Sequence, residues 1–124
     1  MRTYELDYAD FDVPMTNEKY RAVVIDTSYS VSTDGIHFLS LDFVVMGSIS
    51  RNSFAFREEL VNDVSNPRSQ EFFKFLADAN IQFDNFDELV GLIFDADIVF
   101  EAHNYKTYRI FANRKLVERP LMAA

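Results

Sequence analysis

Ile36-His37-Phe38-Leu39-Ser40-Leu41-Asp42-Phe43-Val44-Val45-Met46 decides how the rest of the chain is read. Its period is two, the period of an extended strand. Leu39, Leu41, Phe43 and Val45 share one face, and Phe38, Ser40, Asp42 and Val44 share the other. An apolar face backed by a mixed face implies an antiparallel sheet packed on one side. Upstream, Ser32-Thr33-Asp34-Gly35 ends in a strong hairpin signal. Downstream, Met46-Gly47-Ser48 is a weaker turn. A central strand with a reversal at each end makes a meander.

Working outward, Tyr20–Tyr29 reads as the first strand, with the facing of its apolar run Ala22-Val23-Val24-Ile25 undecided. Ile49–Arg57 reads as the third, with Phe54 and Phe56 on one face, and Glu58–Val64 loses the alternation. Ser69–Ala79 follows as a helix capped by Ser65 or Asn66, with Pro67 in its first turn. Phe72, Phe73, Leu76 and Ala79 form its apolar stripe. Phe86–Val90 adds a helical turn capped by Asn85 and ended by Gly91. Leu92–Ala102 and Lys106–Asn113 are strands four and five, joined at Ala102–Tyr105. Phe111 is expected on the outer face of strand five, with Thr107 and Arg109.

Three strands, a helix and two strands is the order of an OB-fold, a five-stranded antiparallel barrel with its helix between strands three and four. The competing architecture is an open five-stranded sheet with a helix on one face. The expected organisation is an extended acidic strap over 1–18, an OB-fold-like domain over 19–113, and a basic tail over 114–124. The strap's aromatics either pack on the domain or serve as a functional arm.

Composition narrows the function. The 124 residues fit one domain with a core of its own. Cysteine is absent, which excludes disulfides and thiolate metal sites and fits the cytosol. No apolar leader and no apolar run of membrane-spanning length occurs. The net charge of −8 argues against a simple basic DNA-coating protein. Charge is also segregated: residues 63–101 carry nine acids and two bases, residues 102–124 five bases and one acid. The basic end keeps a local anion-binding surface in play.

Several segments taken together resemble a known group. They are Leu6-Asp7-Tyr8 with Phe11; Tyr20-Arg21-Ala22-Val23-Val24-Ile25; Ser32, Asp34-Gly35 and Phe38-Leu39-Ser40-Leu41-Asp42-Phe43. Further on come Phe72, Phe75-Leu76 and Ile81, then Phe86-Asp87-Glu88-Leu89-Val90-Gly91, Ala96-Asp97-Ile98-Val99, and Tyr105 with Tyr108. In this succession, over roughly residues 5–112, the chain resembles a phage and prophage family of small uncharacterised proteins. The members are proposed to be OB-fold single-stranded DNA-binding proteins of replication or recombination modules. The resemblance implies stoichiometric binding without catalysis in a bacterial cytoplasm, beside replication or recombination proteins. The family's second hairpin is usually more basic than Arg51-Asn52-Ser53.

An OB-fold binds on the outer face of strands two and three and on the loops joining strands one–two and four–five. Single strands need aromatic faces for bases and cations for phosphates. The candidate binding residues are therefore Phe38, Arg51, Arg57, Tyr105, Lys106, Arg109 and Phe111, with Tyr29, His37 and His103 near the loops. Phe38 and Phe111 could equally pack under the strap or in a dimer interface. Asp95, Asp97 and Glu101 line one face of strand four and read as a charged, solvated edge. No nucleophile motif, phosphate loop or His–carboxylate cluster marks an enzyme, and no cofactor is expected. A homo-oligomer would raise apparent affinity by joining sites. The competing reading is an acidic protein–protein module, such as a nucleic-acid-mimicking inhibitor of a host nuclease.

Overall fold

A computed structural model describes residues 18–61, 67–103 and 106–120, with the side chains of 67–68 and 100–109 outside that description. The strap, except Glu18, lies outside the described residues, as do the expected helix caps Ser65 and Asn66 and the last four tail residues.

Five strands form one antiparallel sheet: β1 (Tyr20–Val31), β2 (His37–Gly47), β3 (Ser53–Val61), β4 (Ile93–His103) and β5 (Lys106–Glu118). Helix α1 (Pro67–Asp78) and a 3-10 turn (Phe86–Leu89) lie between β3 and β4. The spatial order is β3-β2-β1-β4-β5, and the sheet is open. Closure of β3 onto β5 as a hydrogen-bonded barrel, the expected architecture, is not seen among the described residues. β4 lies inside the sheet, so the expectation of a charged edge strand there is corrected; β3 and β5 are the edges.

The β2 pattern settles the packing. Leu39, Leu41, Phe43 and Val45 are all buried, and antiparallel pairing places Leu60, Phe56 and Phe54 of β3 on the same inner face. β1 joins them with Tyr20, Ala22 and Val24. Between Val24 and Asp26 a bulge adds one residue, Ile25, which stands exposed. The inserted residue shifts the alternation. Thr27 and Tyr29 therefore lie on the inner face, opposite Leu41 and Leu39.

A second irregularity acts on β5. The register slips between Asp95 and Asp97, and Asn113 adopts φ 56°. The bulge lets both Phe111 and Arg114 face inward. Phe111, expected outside among the DNA contacts, is only 4 % exposed and packs on Phe43, Phe56 and Phe94. The basic tail is likewise corrected: Arg114–Glu118 completes β5.

Arg114 is the most consequential of these residues. Its side chain is 1 % exposed. Nη2 donates to Glu58 of β3 at 2.7 and 2.9 Å, and Nε donates to Glu71 of α1 at 3.0 Å. The guanidinium lies about 5 Å from the ring centres of Phe72, Phe94 and Phe111. Burial pushes its pKa down, but the two carboxylates outweigh that and hold it above its ordinary value. The Phe56–Phe111 rings, 4.6 Å apart, make the same crossing from β3 to β5. The two edges thus meet through side chains, with no backbone pairing between them among the described residues. α1 covers the junction: Ser69 Oγ accepts the Val61 N–H of β3, and Phe75 packs on Phe94. Arg119 donates to the carbonyls of Ala79 and Asn80, satisfying exposed acceptors at the helix end.

The turns explain the strand bounds. Gly35, at φ 81°, closes the β1–β2 loop as the Asp-Gly signal requires. The β2–β3 turn is longer than expected, so β3 starts at Ser53 and runs through Glu58 to Val61. Glu18 holds this turn, its carboxylate accepting the N–H groups of Ile49 at 2.6 Å and Ser50 at 2.9 Å. Burial pushes the Glu18 pKa up, and these bonds outweigh it to hold the group below its ordinary value. Gly47 leaves the room: a Cβ there would lie 2.5 Å from Ser50 Oγ and 2.6 Å from Glu18 Oε1. Gly47→Ala is therefore expected to destabilise by about 1–3 kcal/mol through overpacking, read by urea denaturation. The Asn85 cap is as expected, with Glu88 reaching back to complete a capping box.

Candidate nucleic-acid interface

The β1 bulge has a direct consequence for the site. Because it turns Tyr29 inward, the end of the β1–β2 hairpin carries an aromatic side chain toward α1 rather than away from it. Tyr29 stacks on His37 with ring centres 5.6 Å apart, and the phenol is hydrogen-bonded to His37 Nδ1. On its other side Tyr29 meets Phe86 at 5.3 Å, and Phe86 meets Phe83 at 5.4 Å. Phe73 of α1 completes a pocket of about 280 Å³. Phe38, Leu39 and Leu60 line a smaller hollow that shares Tyr29, His37, Phe73 and Phe86.

Four separate segments therefore converge. The capping box fixes the Phe86 turn, because Asn85 and Glu88 satisfy each other's backbone donors. Thr27 donates its hydroxyl to Asp87 and ties that turn to β1. About half of Tyr29 remains accessible to solvent. Such a groove can stack a planar, apolar-faced ligand and offer it the polar edge of the Tyr29–His37 pair. In sequence, carboxylates flank the groove's phenylalanines: Asp84 follows Phe83, and Asp87 and Glu88 follow Phe86.

The seven candidate residues do not form one cluster. Phe38 is half-buried beside the groove. Arg51 is exposed in the β2–β3 turn, at φ 63°. It lies near the opposite end of β2 from the groove, roughly 30 Å away at about 3.3 Å per residue. Arg57 is on the outer face, but Asp42 binds it through both oxygens, at 2.6 and 3.3 Å. Tyr105 lies outside the described residues, and Lys106 and Arg109 are placed on β5 by backbone alone. Phe111 belongs to the core.

Other outward cations are engaged as well. Arg21 forks onto Asp95 at 2.9 and 3.1 Å, and Lys19 reaches Asp97 at 2.9 Å. Lys19 and Asn113 together hold the Asp97 carboxyl below its ordinary pKa. Asp95 and Asp97 are thus ion-pair partners. Among the described residues, no group of three His, Cys, Asp or Glu side chains could hold a metal ion. No helix among them is long and apolar enough to cross a membrane.

Reading the sequence placed Tyr29 and His37 near the loop but missed Phe73, Phe83 and Phe86. The Phe83-x-x-Phe86 pair around a capping Asn85 was the available signal. Compared with known proteins, the chain matches no family model, no curated protein and no solved structure.

Proposed function

We propose that the protein binds single-stranded DNA stoichiometrically, as a phage-type replication or recombination accessory, and that the aromatic groove is where bases stack. The observation that carries this reading is the convergence of Tyr29, His37, Phe73, Phe83 and Phe86 beside Phe38. Base stacking on aromatic side chains is the sequence-tolerant part of single-strand recognition. The strand order supports it too. β3-β2-β1-β4-β5 with a helix between β3 and β4 is an OB-like arrangement opened between β3 and β5. The groove sits at the β1–β2 loop, which also borders an OB-fold's cleft, but it opens on the α1 side of the sheet rather than on the outer face of strands two and three.

Stacking carries more of this interaction than charge does. Arg21 and Arg57 are already matched by carboxylates, so the described face offers few unpaired cations to phosphates. Tyr29→Ala is expected to weaken binding to oligo-dT by about 1–3 kcal/mol. Its melting temperature should stay close to that of the wild type, since Tyr29 is half-exposed. Fluorescence anisotropy with a labelled oligonucleotide reads the first quantity. Unchanged affinity in Tyr29→Ala would remove the groove from the interface.

A second reading is favoured by the carboxylates. Asp84, Asp87 and Glu88 sit within the segment that builds the groove, which suits a basic protein partner better than a phosphate chain. An acidic protein–protein module would leave oligo-dT unbound even at low salt.

A further inference from the structure

The outer face of β1–β2–β3 is not covered by any described element, and its chemistry is unlike the rest of the chain. Pairing in register puts Val23, Val44 and Ala55 in one row across the three strands, continued onto β4 by Ile93. Met46 and the bulged Ile25 extend the row to either side. Val44, Met46 and Ile25 are 39 %, 40 % and 51 % exposed. An exposed apolar row flanked by charges suits an interaction surface.

Charge says what occupies it. The chain carries −8, so two copies repel over most of their surface. This face is the exception, because its ions are arranged as pairs on both sides of the apolar row. Toward the groove lie Asp42 and Arg57, with Asp26 and Glu59 beside them. Toward the β2–β3 turn lie Arg21 and Asp95, then Lys19 and Asp97, with exposed Arg51 beyond. The first flank is acidic by two charges. The second holds three cations against Asp95 and Asp97, with Glu18 bound into the turn beneath. DNA finds few unpaired cations here.

We infer that this face is an interface between two copies of the chain, packed sheet on sheet about a two-fold axis running along the Val23–Val44–Ala55 row. A two-fold along that row exchanges the flanks. The Asp26, Asp42 and Glu59 side of one copy then faces the Lys19, Arg21 and Arg51 side of the other. The apolar rows meet each other at the axis, as an isologous contact requires. Rotation about the strand direction would instead set acids on acids, which selects the first arrangement. Face-to-face packing of this kind leaves both aromatic grooves open, at opposite ends of the assembly. The inference stands apart from the DNA reading, since it uses none of the groove residues.

Sedimentation equilibrium on the full chain tests it, at the highest soluble concentration and moderate salt. The expected result is a species of twice the 14.4 kDa chain mass. Val44→Glu with Met46→Glu should convert it to the monomer with an unchanged far-ultraviolet circular dichroism spectrum. If that double variant does not fold, Ala55→Arg, at an exposed position, should give the same shift to monomer. A wild type that is monomeric, or a folded variant that remains dimeric, would overturn the assignment. Oligo-dT affinity is measured separately. A dimer that ignores DNA would sink the functional reading alone, and a monomer that binds DNA would sink this one alone.

Discussion

Arg114→Ala is expected to cost about 3–5 kcal/mol of stability, the penalty for removing one partner of a buried ion pair. The site explains why the loss is large. Glu58 is 2 % exposed, and without the guanidinium its charge would be stranded between β3 and β5. The same deletion removes the contact from β5 to Glu71 and three guanidinium–ring contacts. Glu71 is partly solvated and adjusts; Glu58 cannot. Since a domain is stable by about 5–15 kcal/mol in all, a large share would go. Arg114→Lys should be a poor rescue, because a single ammonium cannot fork to both carboxylates and stack on rings. Arg114→Met combined with Glu58→Leu should be more stable than Arg114→Met alone, because no buried charge is then left unpaired. Urea denaturation of the set reads these differences. A cost below about 1 kcal/mol for Arg114→Ala would show that the edge strands are held by something else.

Phe43→Ala should be as severe, again about 3–5 kcal/mol, but for a different reason. Phe43 is fully buried and its ring contacts Phe56, Phe94 and Phe111 at 6.4, 5.6 and 5.1 Å. Those residues come from β3, β4 and β5, so the cavity would open where every layer of the core meets. Phe111→Ala should behave like Phe43→Ala in denaturation. Had Phe111 been a stacking residue on the surface, its loss would spare stability and weaken DNA binding instead.

The contrast between these two residues shows what the chain reveals before folding. Phe43 was legible because Leu39, Leu41, Phe43 and Val45 keep one phase through β2 without interruption. The Asp34-Gly35 turn and the Asn85 cap were legible for a related reason, since each is decided by neighbours in the chain. Phe111 and Arg114 were not. Their facing depends on a bulge at Asn113, and nothing local announces that a strand will gain a residue there. An arginine following a strand also reads as solvated. Its burial depends on Glu58 and Glu71, 56 and 43 residues away in the chain. The groove was hidden in the same way. Tyr29 turns inward only because of the bulge at Ile25, and it then meets Phe73, Phe83 and Phe86 from α1 and the 3-10 turn. The order of elements was legible; whether β3 would pair with β5 was not, because that depends on the side chains between them.

Anisotropy with labelled oligo-dT, against duplex of equal length and from low to moderate salt, is the most direct test of the functional claim. The wild type is expected to prefer the single strand. Each phosphate contact contributes a slope of about 0.7 log units of affinity per log unit of salt. With most described cations already paired, the slope should stay near the value for one or two contacts, and the Tyr29→Ala variant should lose affinity with that slope unchanged. Absence of single-strand binding at low salt, or equal affinity for the duplex, would contradict the account.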